Sequence, residues 1–249
     1  MVKKERIDAI VELIKKNGFV TVKFLTEELH YSTATINRDL NILENSKIIR
    51  RVYGGAELTE QKHAPLYFRY HKMRPVKNKI AHIASDFVED GDIIFIDCST
   101  TAQHMGKYIT NKKDLTVITN NISLASFLSE YDISVIILGG KIMEPPSMVY
   151  SRETVESAKK YGADKLFFSA SGITPDGKIS GSEYDVHSLL INTMIENSSK
   201  AYLLIDHEKL TEKCNNYICD IKEINTVICD FDFDKEIKNK YVNTNFVKV

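Results

Sequence analysis

The sequence predicts an α/β protein in two domains: a small front domain built mainly of helices, then a mainly parallel α/β domain. Three observations carry that expectation. In the first part, apolar residues recur at helical spacing. From Ile80 onward, short continuous apolar runs alternate with helical segments, the pattern of strands buried on both faces of a parallel sheet. Charge is divided along the same line. Residues 1–79 hold 16 Lys and Arg against 9 Asp and Glu, a net of +7, while residues 80–249 hold 17 against 25, a net of −8.

The front domain spans residues 1–57. Ile7, Ile10, Val11 and Ile14 form one helical stripe, and Gly18 closes that helix. Thr21 is placed to cap a second helix carrying Val22, Leu25 and Leu29. Ser32 is placed to cap a third, because its hydroxyl can accept an orphan N–H of the first turn. There Ile36, Leu40 and Leu43 fall at i, i+4 and i+7. Ser32, Thr33, Thr35, Asn37 and Arg38 lie at its N-terminal end, off the apolar face. The run Ile48–Tyr53 then reads as a short strand, turned by Gly54-Gly55. Helix, short connection, helix, tight turn, helix, wing is the winged helix-turn-helix plan. In it the N-terminal end of the last helix meets base edges in the major groove. Arg51 is expected beside a phosphate. The basic front is the electrostatic footprint of double-stranded DNA as a partner. The pattern by itself also fits a three-helix packing module without DNA.

Residues 58–75 read as a linker. Its aromatic centre, Pro65–Tyr70, is expected to pack on a neighbouring domain or subunit, or to run as an extended surface loop. Residues 76–249 form the second domain. Ile80, Ile83, Ala84 and Phe87 mark a helix ended by Glu89-Asp90-Gly91. Strands are expected at 93–96, 115–118, 133–138, 166–168, 201–205 and 226–228, with a last edge strand at 246–249. Ligands of such sheets sit beyond the carboxyl ends of the strands. Small polar and acidic residues collect at those ends. Asp97–Thr101 offers hydroxyls and backbone N–H groups ahead of a helix expected near Ala102, an arrangement suited to a phosphate or merely to capping. Asp97 and Asp206 can bind sugar hydroxyls or cap backbone. Lys209 can reach a phosphate or stand exposed. Cys98 has no His or acid partner placed by sequence, so no nucleophile is assigned.

The four cysteines, Cys98, Cys214, Cys219 and Cys229, form no C-x-x-C, and the seven histidines show no metal-ligand spacing. Free thiols, no metal and no cofactor are therefore expected. The charged N-terminus does not resemble a secretory signal, and runs such as Val135–Leu138 are far too short to span a membrane. A cytoplasmic protein is expected.

The front domain resembles the DNA-binding domain of the DeoR family of bacterial transcriptional regulators. The family pattern "G.VSV.EL...L.VS..TIRRDL..LE..G.I.R.HGGA" is met by Gly18–Val22, Ser32, Thr35–Leu40, Leu43-Glu44 and Gly54–Ala56. Asn37 stands where arginine is usual, Lys47 where a helix-ending glycine is usual, and Tyr53 where histidine is common. Residues 75–249 resemble that family's effector domain, similar in fold to ribose-5-phosphate isomerase. Its "D.GTT" is met by Asp97, Thr100 and Thr101, with Ser99 for glycine. Thr119–Asn121 meets "TNN", and Gly139-Gly140 meets a double glycine. Ser171-Gly172 meets a glycine stretch after a strand. Asp206 and Lys209 meet "D.SK", with Glu208 for serine. Leu190 and Ile191 stand where many members carry a Glu…Lys pair.

The resemblance implies a repressor of carbohydrate-metabolism genes that binds operator DNA as a homo-oligomer through Ser32, Thr33, Thr35, Asn37, Arg38 and Arg51. It implies an effector, a phosphorylated sugar or sugar alcohol, held by Asp97, Ser99, Thr100, Thr101, Asn120, Gly139, Gly172, Asp206 and Lys209. No residue is assigned a catalytic role. Two alternatives stand beside this reading: a sugar-phosphate isomerase or deaminase with an added DNA module, and a regulator with a degenerate pocket controlled by oligomerisation.

Overall fold

The computed structural model describes residues 3–46, 48–58, 70, 72–143, 148–181, 185–211, 213–214 and 216–249. Lys47 and most of the linker, including its aromatic run at 65–69, lie outside the described residues. The chain divides into two compact units, Met1–Lys72 and Met73–Val249.

The front unit contains α1 (Lys3–Asn17), β1 (Phe19–Thr21), α2 (Val22–Leu29), α3 (Thr33–Asn45), β2 (Ile49–Val52) and β3 (Gly55–Leu58). Its helices start where hydroxyl caps stand. Thr21 accepts the Phe24 N–H at 3.0 Å and Ser32 accepts the Thr35 N–H at 3.3 Å. Such a cap contributes about 1 kcal/mol. The stripes meet in one core: Ile7, Ile10, Val11 and Ile14 of α1 pack with Leu25, Ile36, Leu40 and Leu43. Val20, Ile49 and Ala56 close it from an antiparallel sheet of order β1-β3-β2. Phe19–Thr21, read as a connection, is a strand in that sheet, with Val20 opposite Ala56. It is too short to show a period of its own.

The second unit is organised by a seven-stranded sheet: β4 (Ile93–Ile96), β5 (Thr116–Thr119), β6 (Ser134–Ile137), β9 (Ala163–Phe168), β12 (Ser198–Ile205), β14 (Thr226–Cys229) and β15 (Asn245–Lys248). Between them lie α4 (Arg74–Ser85), α5 (Thr100–Gln103), α6 (Ile122–Leu128), β7 (Ile142–Met143), β8 (Met148–Val149), α7 (Arg152–Ala158), β10 (Gly172–Ile173), β11 (Lys178–Ser180), α8 (Asp185–Glu196), β13 (Tyr217–Asp220) and α9 (Lys235–Lys240). Every pairing in the large sheet is parallel.

Alternate residues of the strands enter two separate cores. Ile94, Ile96, Val117, Phe167, Leu204 and Ile228 face Ile80, Ala81 and Ala84 of α4. Phe95, Ile118, Leu166, Phe168, Leu203 and Val227 face the side holding Val155 of α7 and Leu190, Ile191 and Met194 of α8. Burial on both faces is why these strands read as unbroken apolar runs. Leu190 and Ile191 are fully buried there, so these positions serve packing.

The helix expected from Ile80 starts earlier, at Arg74, inside the stretch read as linker. Pro75 occupies its first turn, where a missing N–H has no helical partner to lose. The pairs β7–β8 and β10–β11–β13 were not expected; they are antiparallel strands of two to four residues.

The sheet order is β15-β14-β12-β9-β4-β5-β6. From β4 the chain steps outward through β5 to β6, then returns to the other side of β4 for β9 and β12. The direction of winding therefore reverses between β4 and β9. In open α/β sheets a crevice forms at such a switch, beyond the carboxyl ends of the two strands.

Candidate DNA-reading helix and effector site

In α3, Ile36, Asp39, Leu40 and Leu43 are buried, while Ser32, Thr33 and Arg38 are exposed and Thr35 and Asn37 are half-buried. The DNA-contact candidates thus share one accessible end of the helix. Two arginines hold it. Arg6 of α1 donates to the buried Asp39 carboxylate, from Nε at 2.5 Å and from Nη2 at 3.3 Å. Its guanidinium also lies 4.5 Å from the centre of the Tyr31 ring.

Arg51 of β2 donates from Nη2 to Asn37 Oδ1 at 2.8 Å and from Nη1 to Asn41 Oδ1 at 3.2 Å. Its backbone N–H donates to Glu44 Oε1 at 3.2 Å. Its guanidinium therefore lies on the recognition helix. At the tip of the wing Tyr53 is fully exposed.

In the second unit, the carboxyl ends of the parallel strands bring Asp97 (β4), Asn120 (β5), Gly139 (β6) and Asp206 (β12) to one edge of the sheet. Asp97 and Ser99 lie on the β4 side of the winding reversal and Ser169 on the β9 side. Asp97 is buried, accepts backbone bonds from Ser99 and Ser169, and takes the Ser99 hydroxyl at 2.5 Å on Oδ1. Its Oδ2 is buried with no hydrogen-bond partner among the described residues. Burial pushes the Asp97 carboxyl up to about 7, against the bonds from Ser99 and Ser169 that favour the carboxylate.

Ser99 departs from the family glycine without backbone strain. Its φ of −63° is open to any residue, and its hydroxyl caps α5 by accepting the Ala102 N–H at 3.2 Å. The backbone conformation at this position therefore does not require glycine. Thr100 and Thr101 are buried in the first turn.

A residue not singled out from the sequence joins them. Lys77 of α4 is buried and donates from Nζ to Thr100 Oγ1 at 2.9 Å. The signal was present, since Lys77 lies on the stripe of Ile80, Ala81 and Ala84 and so puts an ammonium on an apolar face. One turn earlier, Arg74 has a buried Nε without a partner among the described residues.

Cys98 Sγ lies 2.7 Å from the Tyr150 hydroxyl, and Tyr150 also bonds the Asn120 side chain. Burial raises the Tyr150 phenol well above its ordinary value. Asn120 donates from Nδ2 to the Val149 carbonyl at 3.1 Å, while its Oδ1 is buried without a partner among the described residues. His187 of α8 packs edge-on against Tyr150 at 5.4 Å.

Of the double glycine, Gly140 carries the constraint. Its φ is +145°, and a Cβ there would stand 2.2 Å from Thr154 Oγ1. Gly139 meets nothing within 4 Å. At Gly172 a Cβ would meet Thr211 Cγ2 at 2.6 Å, so glycine lets β10 approach the turn that follows β12. In that turn the buried Asp206 caps by accepting the Glu208 N–H at 3.1 Å. Lys209 is half-buried. Beside it His207 Nδ1 lies 2.5 Å from Asp230 Oδ2, a bond that raises the imidazole's affinity for a proton.

No helix among the described residues is long and apolar enough to cross a membrane. The DeoR-like helix-turn-helix domain matches residues 6–62, and the DeoR C terminal sensor domain matches residues 73–231. The chain is 33% identical to the HTH-type transcriptional repressor GlcR of Bacillus subtilis, over 92% of this chain and 89% of that one. It is 29% identical to the Glycerol-3-phosphate regulon repressor of Escherichia coli, over 92% of each chain. It is 30% identical to the Lactose phosphotransferase system repressor of Staphylococcus epidermidis, over 96% of each. Among solved structures it is similar to ribose 5-phosphate isomerase A from Methanocaldococcus jannaschii, at TM-score 0.42 and 18% identity, over 56% of each chain. The chain therefore belongs to the DeoR family, with a helix-turn-helix domain in front and a sensor domain behind, and is a transcriptional regulator rather than an enzyme.

Proposed function

We propose that this regulator represses carbohydrate-metabolism genes and that its sensor domain takes a phosphorylated sugar or sugar alcohol where the winding of the sheet reverses. The observation that carries the reading is the buried Lys77 ammonium on Thr100, at the strand-to-helix turn that also holds Asp97. A buried ammonium beside hydroxyls and free helix N–H groups suits a phosphate oxygen. Asp97, across the same turn, suits sugar hydroxyls. Two of the relatives bear names that fit, a glycerol-3-phosphate regulon repressor and a lactose phosphotransferase system repressor. The ligand acts by binding the DNA-competent and DNA-incompetent states unequally.

The test is thermal unfolding of the full chain with glycerol 3-phosphate, ribose 5-phosphate and glucose 6-phosphate, each beside its unphosphorylated parent. At least one ester is expected to raise the midpoint, since a ligand of the native state must stabilise it. Lys77→Met and Thr100→Val are expected to weaken that binding by roughly 1.5–3 kcal/mol, the range for a charge-assisted bond. Both should keep ligand-free operator binding, so the variants stay on DNA when the inducer is present. Lys209→Ala tests separately whether the turn after β12 reaches the ligand. If no ester stabilises the parent, the sensor pocket is degenerate and this reading fails.

Repression also requires assembly. A single helix-turn-helix reads a short half-site and a symmetric pair reads two. A homo-oligomer is therefore expected on operator DNA. Sedimentation showing only monomer at micromolar concentration, with and without DNA, would contradict it.

A further inference from the structure

Arg51, Asn37, Asn41 and Glu44 form a polar bridge between the wing and the recognition helix. Asn37, Asn41 and Glu44 fall at i, i+4 and i+7, one face of α3, and all three accept from Arg51. A charged fork across two amides fixes both of them, because the guanidinium is planar and its donors are rigidly spaced. An asparagine left alone at an accessible helix end can turn its amide either way and present an acceptor or a donor. Here Oδ1 of Asn37 is held on Nη2 of Arg51, and Nδ2 has no partner among the described residues.

We propose that Arg51 is a positioning residue for base reading: it holds Asn37 so that the amide presents its N–H donors to the major groove. The base edges that answer are acceptors. Guanine offers two adjacent acceptors, N7 and O6, whereas thymine offers one, O4, beside its methyl group, adenine sets a donor beside its N7 and cytosine offers only a donor amino group. Asn37 should therefore favour guanine at its position in the half-site and disfavour cytosine most. Arg51 sets that preference without touching a phosphate, and its neighbour Arg50, already paired with Glu57, is not its substitute.

The experiment selects operator duplexes from a randomised library on the full-length parent, then measures binding of single-base variants of the selected site at several salt concentrations. Asn37→Ala identifies the base pair that Asn37 reads, as the position where discrimination is lost. The parent is expected to prefer guanine there by roughly tenfold, the scale of a good base contact. Arg51→Met should abolish that preference, leave the other positions unchanged, and cost nothing further at that base pair in the Asn37→Ala background. Arg51→Lys should also lose it, since an ammonium keeps the charge but not the fork. For both variants the slope of log K against log salt should match the parent's. Retained binding to non-specific duplex at low salt shows that the front unit is folded. A phosphate contact would look different: uniform weakening at every base, a salt slope smaller by about 0.9, and rescue by lysine. That result, or Asn37→Ala leaving every position's discrimination intact, would overturn the proposal.

Discussion

Arg6→Met is expected to destabilise the front unit by about 3–5 kcal/mol, the cost of leaving a buried carboxylate without its partner. Asp39 sits on the recognition helix with no exposed surface, and Arg6 supplies both of its guanidinium bonds from α1. Removing the arginine strands a charge in an apolar core. Removing both partners does not, so Arg6→Met with Asp39→Leu should recover most of the loss. A small domain has little stability in reserve, typically about 5 kcal/mol at the low end of the range. The single variant should therefore lose operator binding at ordinary temperature and the double variant should regain folding. Denaturant unfolding of the full chain, with operator binding as the report on the front unit, measures both. A single-variant loss below about 1 kcal/mol would place the pair among weak surface bridges and remove it from the account of how α3 is held.

Asp97→Asn is expected to remove a pH-dependent penalty of at most about 4 kcal/mol, at about 1.4 kcal/mol for each unit by which a pKa is displaced. The Asp97 carboxyl moves from 3.8 to about 7 on folding because it is fully buried. The folded chain therefore holds this proton more tightly than the unfolded chain. Its contribution is fully present below the unfolded value of 3.8 and is lost as pH rises through the folded value of about 7. The parent's stability should accordingly fall across that window through this group, and the Asn variant, which cannot ionise, should lack that share of the fall. Unfolding free energies of both proteins at pH 5 and pH 8 give the answer. Parallel behaviour of the two would mean that Asp97 stays ionised in the fold.

Much of the fold was legible because local rules and tertiary packing agree. Thr21 and Ser32 announced their helices as hydroxyl caps, and the Ile36, Leu40 and Leu43 stripe is the buried face of α3. The strands expected at 93–96 and 226–228 were visible because residues buried on both faces leave no polar alternation to confuse with a surface strand. What escaped was short or long-range. Phe19–Thr21, β7, β8 and β10 have two or three residues each, too few to show a period.

Of the site, residue types were readable and partners were not. Sequence alone determined a capped recognition helix, a parallel sheet, and hydroxyl and carboxylate groups at its strand ends, since caps and periodicity act over a single turn or strand. Only the tertiary structure decided that β4 and β9 flank the winding reversal, that Lys77 reaches Thr100, and that Arg51 grips Asn37. Those contacts join residues 14 and 23 positions apart in two of the cases, and pairing at such separations is set by how helices and strands pack, which no local pattern records.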